Sequence, residues 1–311
     1  MYKSLLLFLF IASFSFASED KKLAIAIAGY NRPDYLDETL EALARNPESM
    51  TTPIFFFFDG GRDAKQNENL AVAKRYNFPF ATYILRDKNF GCGKNLIDAR
   101  RQIFDKHKYE KALILEDDNK ISSNYIQLML ELLDWAKKDI GNVGLVSGWS
   151  NVPLNFEEKD FFLNKVVRNA HGNYWAYLMD ADCWNAIKDV YYEYERSFLY
   201  AGGKSHYDHQ HAIRKWIRHR VEKYHPTQDS YAEWFLNPNY PVGQDGILRL
   251  SLWEANLNYT ATIVNRMVNI GKIGLNYNEE VWQRNLGMYE LDEFEEDVHL
   301  DSFEIWVGKI R

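Results

Sequence analysis

The segment Ile54-Phe55-Phe56-Phe57-Phe58 is five apolar residues in a row, bounded by Pro53 and by Asp59-Gly60-Gly61. Without polar alternation it has no face to offer water, and it is far too short to span a bilayer, so it reads as a strand buried on both sides. Residues 23–28, 81–85 and 112–115 have the same character. Between them, 34–44, 67–75 and 94–107 carry apolar residues at helical spacing, such as Leu36, Leu40 and Leu43. The order β-α-β-α-β-α-β predicts an α/β fold with a mostly parallel central sheet flanked by helices.

Open sheets of this kind bind ligands outside the carboxyl ends of their strands. The residues that fall there are Gly29-Tyr30-Asn31-Arg32-Pro33, Asp59-Gly60-Gly61, Arg86-Asp87 and Glu116-Asp117-Asp118. Each alone is ordinary turn chemistry; their convergence on one sheet edge points to a site. Further on, the pattern predicts a helix over 122–138, a strand over 143–147, a strand over 161–167, and helices over 180–194, 206–220 and 245–256. No repeat, low-complexity tract or Pro/Gly/Ser linker interrupts the chain. One domain over 18–311 is therefore expected, with 23–150 as a donor-binding half, 151–289 as an acceptor half and 290–311 as an acidic, solvated tail.

Lys and Arg total 37 against 44 for Asp and Glu, a net charge of -7. That balance argues against a nucleic-acid partner, which needs a basic face. Aromatic residues make up 15% of the chain, which suits sugar binding as well as a core. Met1-Tyr2-Lys3, an apolar run over 5–16 and the small residues of Ser15-Phe16-Ala17 read as a signal peptide over 1–17. The mature protein is then expected in the secretory lumen (ER or Golgi) or exported, with an uncleaved N-terminus as its one route to a membrane. Cys92 and Cys183 offer at most one disulfide and no metal-binding spacing. The sequon Asn258-Tyr259-Thr260 is compatible with a lumen.

Glu116-Asp117-Asp118 directly follows the apolar strand at 112–115, so three carboxylates emerge together and repel one another. A divalent cation with oxygen ligands relieves that repulsion, and one or two carboxylates plus phosphate oxygens and water suit Mg²⁺ or Mn²⁺ better than zinc. An exposed acidic turn capping a helix at Ser122 is the alternative.

Taken together, Ile25 to Pro33 with Leu36 and Leu40, then Asp59, then Asn89-Phe90-Gly91-Cys92-Gly93-Lys94-Asn95, then Leu115-Glu116-Asp117-Asp118, resemble the donor half of GT-A glycosyltransferases. The nearest types are family 2 and the N-acetylglucosaminyltransferase I type, and the resemblance covers roughly 23–150. It implies that Asp118 binds the metal, that Asp117 holds the ribose or donor sugar, and that Asp59 bonds a uracil ring. It also implies that Asn31 and Arg32 line the nucleotide pocket and that Lys94, where many family 2 members have Arg, lies near the diphosphate. A lysine at a helix N-terminus suits phosphate on physical grounds too.

His171-Gly172-Asn173-Tyr174-Trp175-Ala176-Tyr177, followed by Trp184, is similar to an acceptor segment of bacterial relatives. Gly243-Gln244-Asp245 resembles their Gly-Glu-Asp stretch, which makes Asp245 the implied catalytic base, with Gln244 replacing the Glu; Asp208 and Glu233 are reserve bases. Val268-Asn269-Ile270-Gly271 resembles a late motif to which no role is given. His206, His209 and His211 suit surface positions or a late metal ligand. The expectation is an inverting, Mn²⁺- or Mg²⁺-dependent hexosyl- or N-acetylhexosaminyltransferase with a UDP-sugar donor and a carbohydrate or glycoconjugate acceptor. The competitors are an inactive GT-A-like carbohydrate-binding protein and a nucleotidyltransferase. The latter typically has a glycine-rich basic loop after its first strand, which Gly29 to Pro33 is not.

Overall fold

The computed structural model describes residues 21–150, 152, 159–168, 174–199, 206–224, 230–272, 280 and 302–307. The segment 1–17, His171 to Asn173 and the acidic run 292–297 lie outside them. The first half follows the expected alternation: β1 (Leu23–Gly29), α1 (Pro33–Ala44), β2 (Ile54–Phe58), α2 (Gln66–Arg75), β3 (Ala81–Leu85), α3 (Gly91–Arg100) and β4 (Lys111–Glu116). After these come β5 (Asn119–Ile121), α4 (Tyr125–Asp139), β6 (Val143–Ser147), α5 (Lys159–Phe162), β7 (Lys165–Arg168), β8 (Tyr177–Asp180) and α6 (Ala181–Tyr194). The chain then forms α7 (Gln210–Tyr224), α8 (Ser230–Phe235), α9 (Gln244–Glu254), β9 (Asn258–Thr262), β10 (Met267–Asn269) and β11 (Glu304–Ile305).

Among the described residues the main sheet has nine strands in the order β11-β7-β9-β6-β8-β4-β1-β2-β3. The block β4-β1-β2-β3 is parallel throughout, whereas β8 runs antiparallel to both β4 and β6. Alternate residues of β1 and β2 enter different cores. Ala24, Ala26, Phe55 and Phe57 pack with α3, α6 and α9 on one face. Ile25, Ile27, Phe56 and Phe58 pack with α1 and α4 on the other. Both faces are covered, which is why these strands show no polar alternation. Each buried residue of such a strand still contributes its transfer free energy, about 1.5–3 kcal/mol for a large side chain.

Several expectations are corrected. The helix predicted over 94–107 starts at Gly91 and widens into a π-helical turn over Arg101–Lys106. Ser122 does not start a helix; residues 119–121 form β5, antiparallel to β10, and α4 begins at Tyr125. The strand expected over 161–167 divides into α5 and β7, because Phe162 turns away from the sheet to meet Trp306 edge-on at 5.0 Å. That aromatic pair draws the end of the chain back: β11 pairs with β7 and Phe303 is buried. The tail is thus partly sheet rather than wholly solvated.

Cys92 and Cys183 are free thiols. Thr260 of the sequon is fully buried inside β9, so the sequon is not presented on the surface. Among the described residues no helix is long and apolar enough to cross a membrane.

Helix α9 packs tightly on the turn that leads into it. Tyr240 donates its hydroxyl to the Gly246 carbonyl at 2.6 Å, and a methyl at Gly246 would overlap the Pro241 carbonyl oxygen. Gly246→Ala is therefore expected to cost about 1–3 kcal/mol through overpacking. A urea denaturation midpoint equal to that of the parent would refute this account of the turn.

Candidate active site

Strand β4 ends at Glu116, and the tight turn into β5 carries Asp117 and Asp118. Both aspartates are nearly buried, at 3% and 7% exposure. Asp117 is fixed from the β1–α1 side: the Tyr30 amide donates to it at 3.4 Å, Arg32 forms an ion pair with it, and Thr39 donates to its carbonyl at 3.1 Å. Asp118 is fixed from the end of the sheet. Asn119 and Asn269 each donate to its Oδ1 at 3.1 Å, Arg32 Nη1 lies 2.8 Å from its Oδ2, and the Ile270 amide donates to its carbonyl at 2.9 Å. A methyl at Gly271 would overlap Asp118 Oδ2 and crowd Arg32, so glycine is needed for this close approach. The 268–271 motif thereby acquires a role, which is to clasp Asp118 through the β5–β10 pairing.

Burial, then the neighbouring Asp118, Asp245 and Asp117 charges, hold the Glu116 carboxyl well above its ordinary range. Burial raises Asp117 as well, against the pull of Arg32. The cluster thus calls for positive charge, part of which Arg32 supplies. The oxygen donors, the partly buried carboxylates and the concave seat left by Gly271 fit a hard divalent cation. Among the described residues no three His, Cys, Asp or Glu side chains converge on one point, so such an ion would take the rest of its shell from phosphate and water.

Asp59 accepts the amides of Gly60, Phe90 and Gly91 at 2.9, 2.7 and 2.8 Å, which ties β2 to the start of α3. Lys94, one turn into α3, lies with its ammonium 4.5 Å from the centre of the Phe90 ring. Asn31 is exposed at the rim. Cys92 is an exposed free thiol whose Sγ lies 3.5 Å from Glu116 Oε2.

Asp245 approaches the same cluster from α9, near enough for its charge to act on Glu116. It sits in the first turn of α9, whose N-cap is Gly243, so it is not the helix cap. Gln244 bridges it to a fully buried arginine: Arg100 Nη2 donates to Gln244 Oε1 at 3.0 Å, and Gln244 Nε2 donates to Asp245. Arg100 is itself oriented by the Tyr177 hydroxyl, 2.9 Å from its Nε. Arg249, one turn on, donates to Tyr174 Oη at 3.1 Å and lies over Trp234. Enclosure raises the Asp245 pKa to about 6, with Arg100 and Arg249 opposing.

The structure thus brings Asp117, Asp118, Glu116 and Asp245 within electrostatic reach of one another. The reserve carboxylates Asp208 and Glu233 are exposed. His211 lines a separate groove beside α8, His209 packs near Phe198, and the His206 side chain lies outside the described set. Trp175 meets Trp149 at 4.8 Å and Trp184 is buried, so both are packing residues, while Tyr174 and Tyr177 orient arginines. Arg100, Asn119 and Asn269 were not legible as site residues, since single polar residues carry no periodicity.

Residues 24–148 match the profile of the family described as Glycosyl transferase family 2. This stretch, less than half of the chain, is similar to family 2 glycosyltransferases. Among solved structures, S. aureus TarS is similar at 19% identity over 40% of this chain and 21% of that one, with a TM-score of 0.32. Residues 1-349 of TarS in complex with UDP-GlcNAc are similar at 19% identity over 40% and 33%, TM-score 0.32. The same fragment with UDP gives 12% identity over 69% of each chain, TM-score 0.44. The match therefore spans between a fifth and a third of the first two TarS chains, and scores this low fix no residue correspondence. No curated protein sequence matches the chain.

The Arg100–Gln244–Asp245 relay makes a prediction. Gln244→Glu removes the amide donor from Asp245, adds a like charge beside it and engages Arg100, so the Asp245 titration should move upward from about 6. Carbon-13 NMR of labelled aspartate carboxyls reads this; an unchanged or lower midpoint would show that Gln244 does not tune Asp245.

Proposed function

We propose that the chain is a metal-dependent inverting glycosyltransferase that moves a hexosyl or N-acetylhexosaminyl unit from a UDP-sugar to a hydroxyl of a carbohydrate or glycoconjugate. The observation that carries this reading is that Asp245 of α9 lies close enough to the Glu116-Asp117-Asp118 turn for its charge to raise Glu116. That turn lies at the carboxyl end of β4, within the stretch similar to family 2.

In this reading Asp118 holds Mn²⁺ or Mg²⁺ and Asp117 the donor ribose or sugar. When bound, the cation supplies charge that offsets the departing diphosphate. Arg32 and Lys94 are cations on the same edge, and Asn31 borders the nucleotide pocket. Asp59 already accepts three amides, so it acts on the uracil pocket chiefly by holding the 89–91 turn in place. With a pKa of about 6, Asp245 is ionised at neutral pH and can take the acceptor hydroxyl proton as that oxygen attacks the anomeric carbon. Attack from the face opposite the diphosphate inverts the anomeric configuration. Residues 1–17 direct the protein to the secretory lumen or outside the cell.

Three outcomes test these roles. Asp245→Asn keeps the shape and should lower transfer about 10²–10⁴-fold while Mn²⁺-dependent UDP binding and the melting temperature stay near parental. The parent's rate should fall as pH drops through about 6, where the base becomes protonated. An Asn variant that still transfers at the parental rate removes Asp245 as the base. Asp118→Asn, in turn, should abolish the Mn²⁺-dependent part of UDP binding in calorimetry. Equal affinity with and without EDTA in the parent would exclude the metal.

A further inference from the structure

Helix α7 divides its residues by face. Ile213, Ile217 and Val221 are buried against the core, and the helical period places His211, Arg214, Lys215 and Arg218 on the other side. Those four line a cavity of about 570 Å³ that is closed by Phe235 and Tyr240, from α8 and the turn after it. This is a usual size for a small-molecule site. Arg214 Nη1 donates to the Tyr240 carbonyl at 2.8 Å, which fixes the wall.

Among the described residues the lining of this groove carries more positive than negative side chains. Arg32, Arg86, Arg101 and Arg220 each meet a carboxylate. Among the described residues Arg214, Lys215 and Arg218 meet none, and Glu222 is the one carboxylate in the lining. A chain of net charge -7 thus places around one concavity three cations that meet no carboxylate among the described residues, and such a concavity focuses field on anions. Tyr240 connects the groove wall to α9. The Tyr240 hydroxyl reaches the Gly246 carbonyl, and residues 240–243 lead straight into the turn of α9 that bears Asp245.

We propose that this groove binds the charged portion of the acceptor, a saccharide bearing phosphate or carboxylate groups, and so presents its hydroxyl to Asp245. The proposal rests on the glycosyltransferase reading and names its acceptor class. The donor diphosphate belongs near Asp118 and Lys94, whereas α7 and α8 lie outside the 24–148 match.

The test uses the full chain and the double variant Lys215→Ala/Arg218→Ala, at two exposed positions. Calorimetric titrations use tetragalacturonate, a phosphodiester-linked oligosaccharide and neutral maltotetraose. At least one anionic probe should bind the parent, and which of the two does so identifies the charge; maltotetraose should bind far more weakly. The double variant should lose about tenfold or more in that affinity, since charge-assisted bonds are removed. UDP binding with Mn²⁺ should be unchanged in the variant, and it scores the donor reading separately: a parent that fails to bind UDP refutes that reading whatever the groove does. The groove proposal is overturned by equal affinity for neutral and anionic probes or by an unchanged variant. It is also overturned if phosphatidylglycerol vesicles bind in a Lys215- and Arg218-dependent way while the saccharides do not.

Discussion

The contact of Arg32 with Asp117 and Asp118 is the constraint around which the first half of the molecule is arranged. Three consecutive acidic residues at the end of a buried strand are unfavourable unless positive charge or hydrogen-bond donors meet them. Arg32 is available because Pro33 starts α1 immediately after it, which fixes the β1–α1 turn beside the β4 end. The remaining donors come from Asn119 and Asn269. Cutting the chain anywhere between Gly29 and Gly271 would separate groups that satisfy this one turn. The carboxylate cluster thus ties residues 24–148 to residues far beyond them.

Asp245 depends on a different buried charge. Arg100 is fully buried at the end of α3, and its partners are neutral: a tyrosine hydroxyl and a glutamine carbonyl. With Glu in place of Gln244, the arginine would be neutralised and Asp245 would face a like charge. With Gln244, the guanidinium charge still acts on Asp245 while an amide orients it. The departure from the Gly-Glu-Asp pattern leaves an ionisable carboxylate whose position and charge are set by Arg100 through one side chain.

Legibility followed the physics of burial. The strands β1 to β4 and the helices between them could be read because parallel strands covered on both faces leave unbroken apolar runs, as in Ile54–Phe58. The second half mixes parallel and antiparallel pairs in strands of two to five residues, too short for a period to register. Phe161 and Phe162 looked like strand residues because an aromatic pair scores as β whether it packs on a sheet or on Trp306. Asp118 and Asp245 were legible through motif and position. Their supports were not: Arg100 resembles any arginine of a surface helix, and the value of Asn269 arises from a pairing across 151 residues.

Viewed as electrostatics, the site has to hold negative ligands beside its own carboxylates. Glu116, Asp117, Asp118 and Asp245 would repel a charged acceptor as readily as they repel one another, and screening at physiological salt extends only about 8 Å. A divalent cation held by Asp118, as proposed, would offset charge on the β4 side alone. An anionic acceptor approaching Asp245 therefore needs positive charge outside the carboxylate cluster, yet near enough to be felt across the α8–α9 turn. Arg214, Lys215 and Arg218 of α7, which meet no carboxylate among the described residues, line the groove that Tyr240 borders, and Tyr240 in turn bonds to α9 through Gly246. If the acceptor is anionic as proposed, this is the positive charge that would offset the carboxylate cluster.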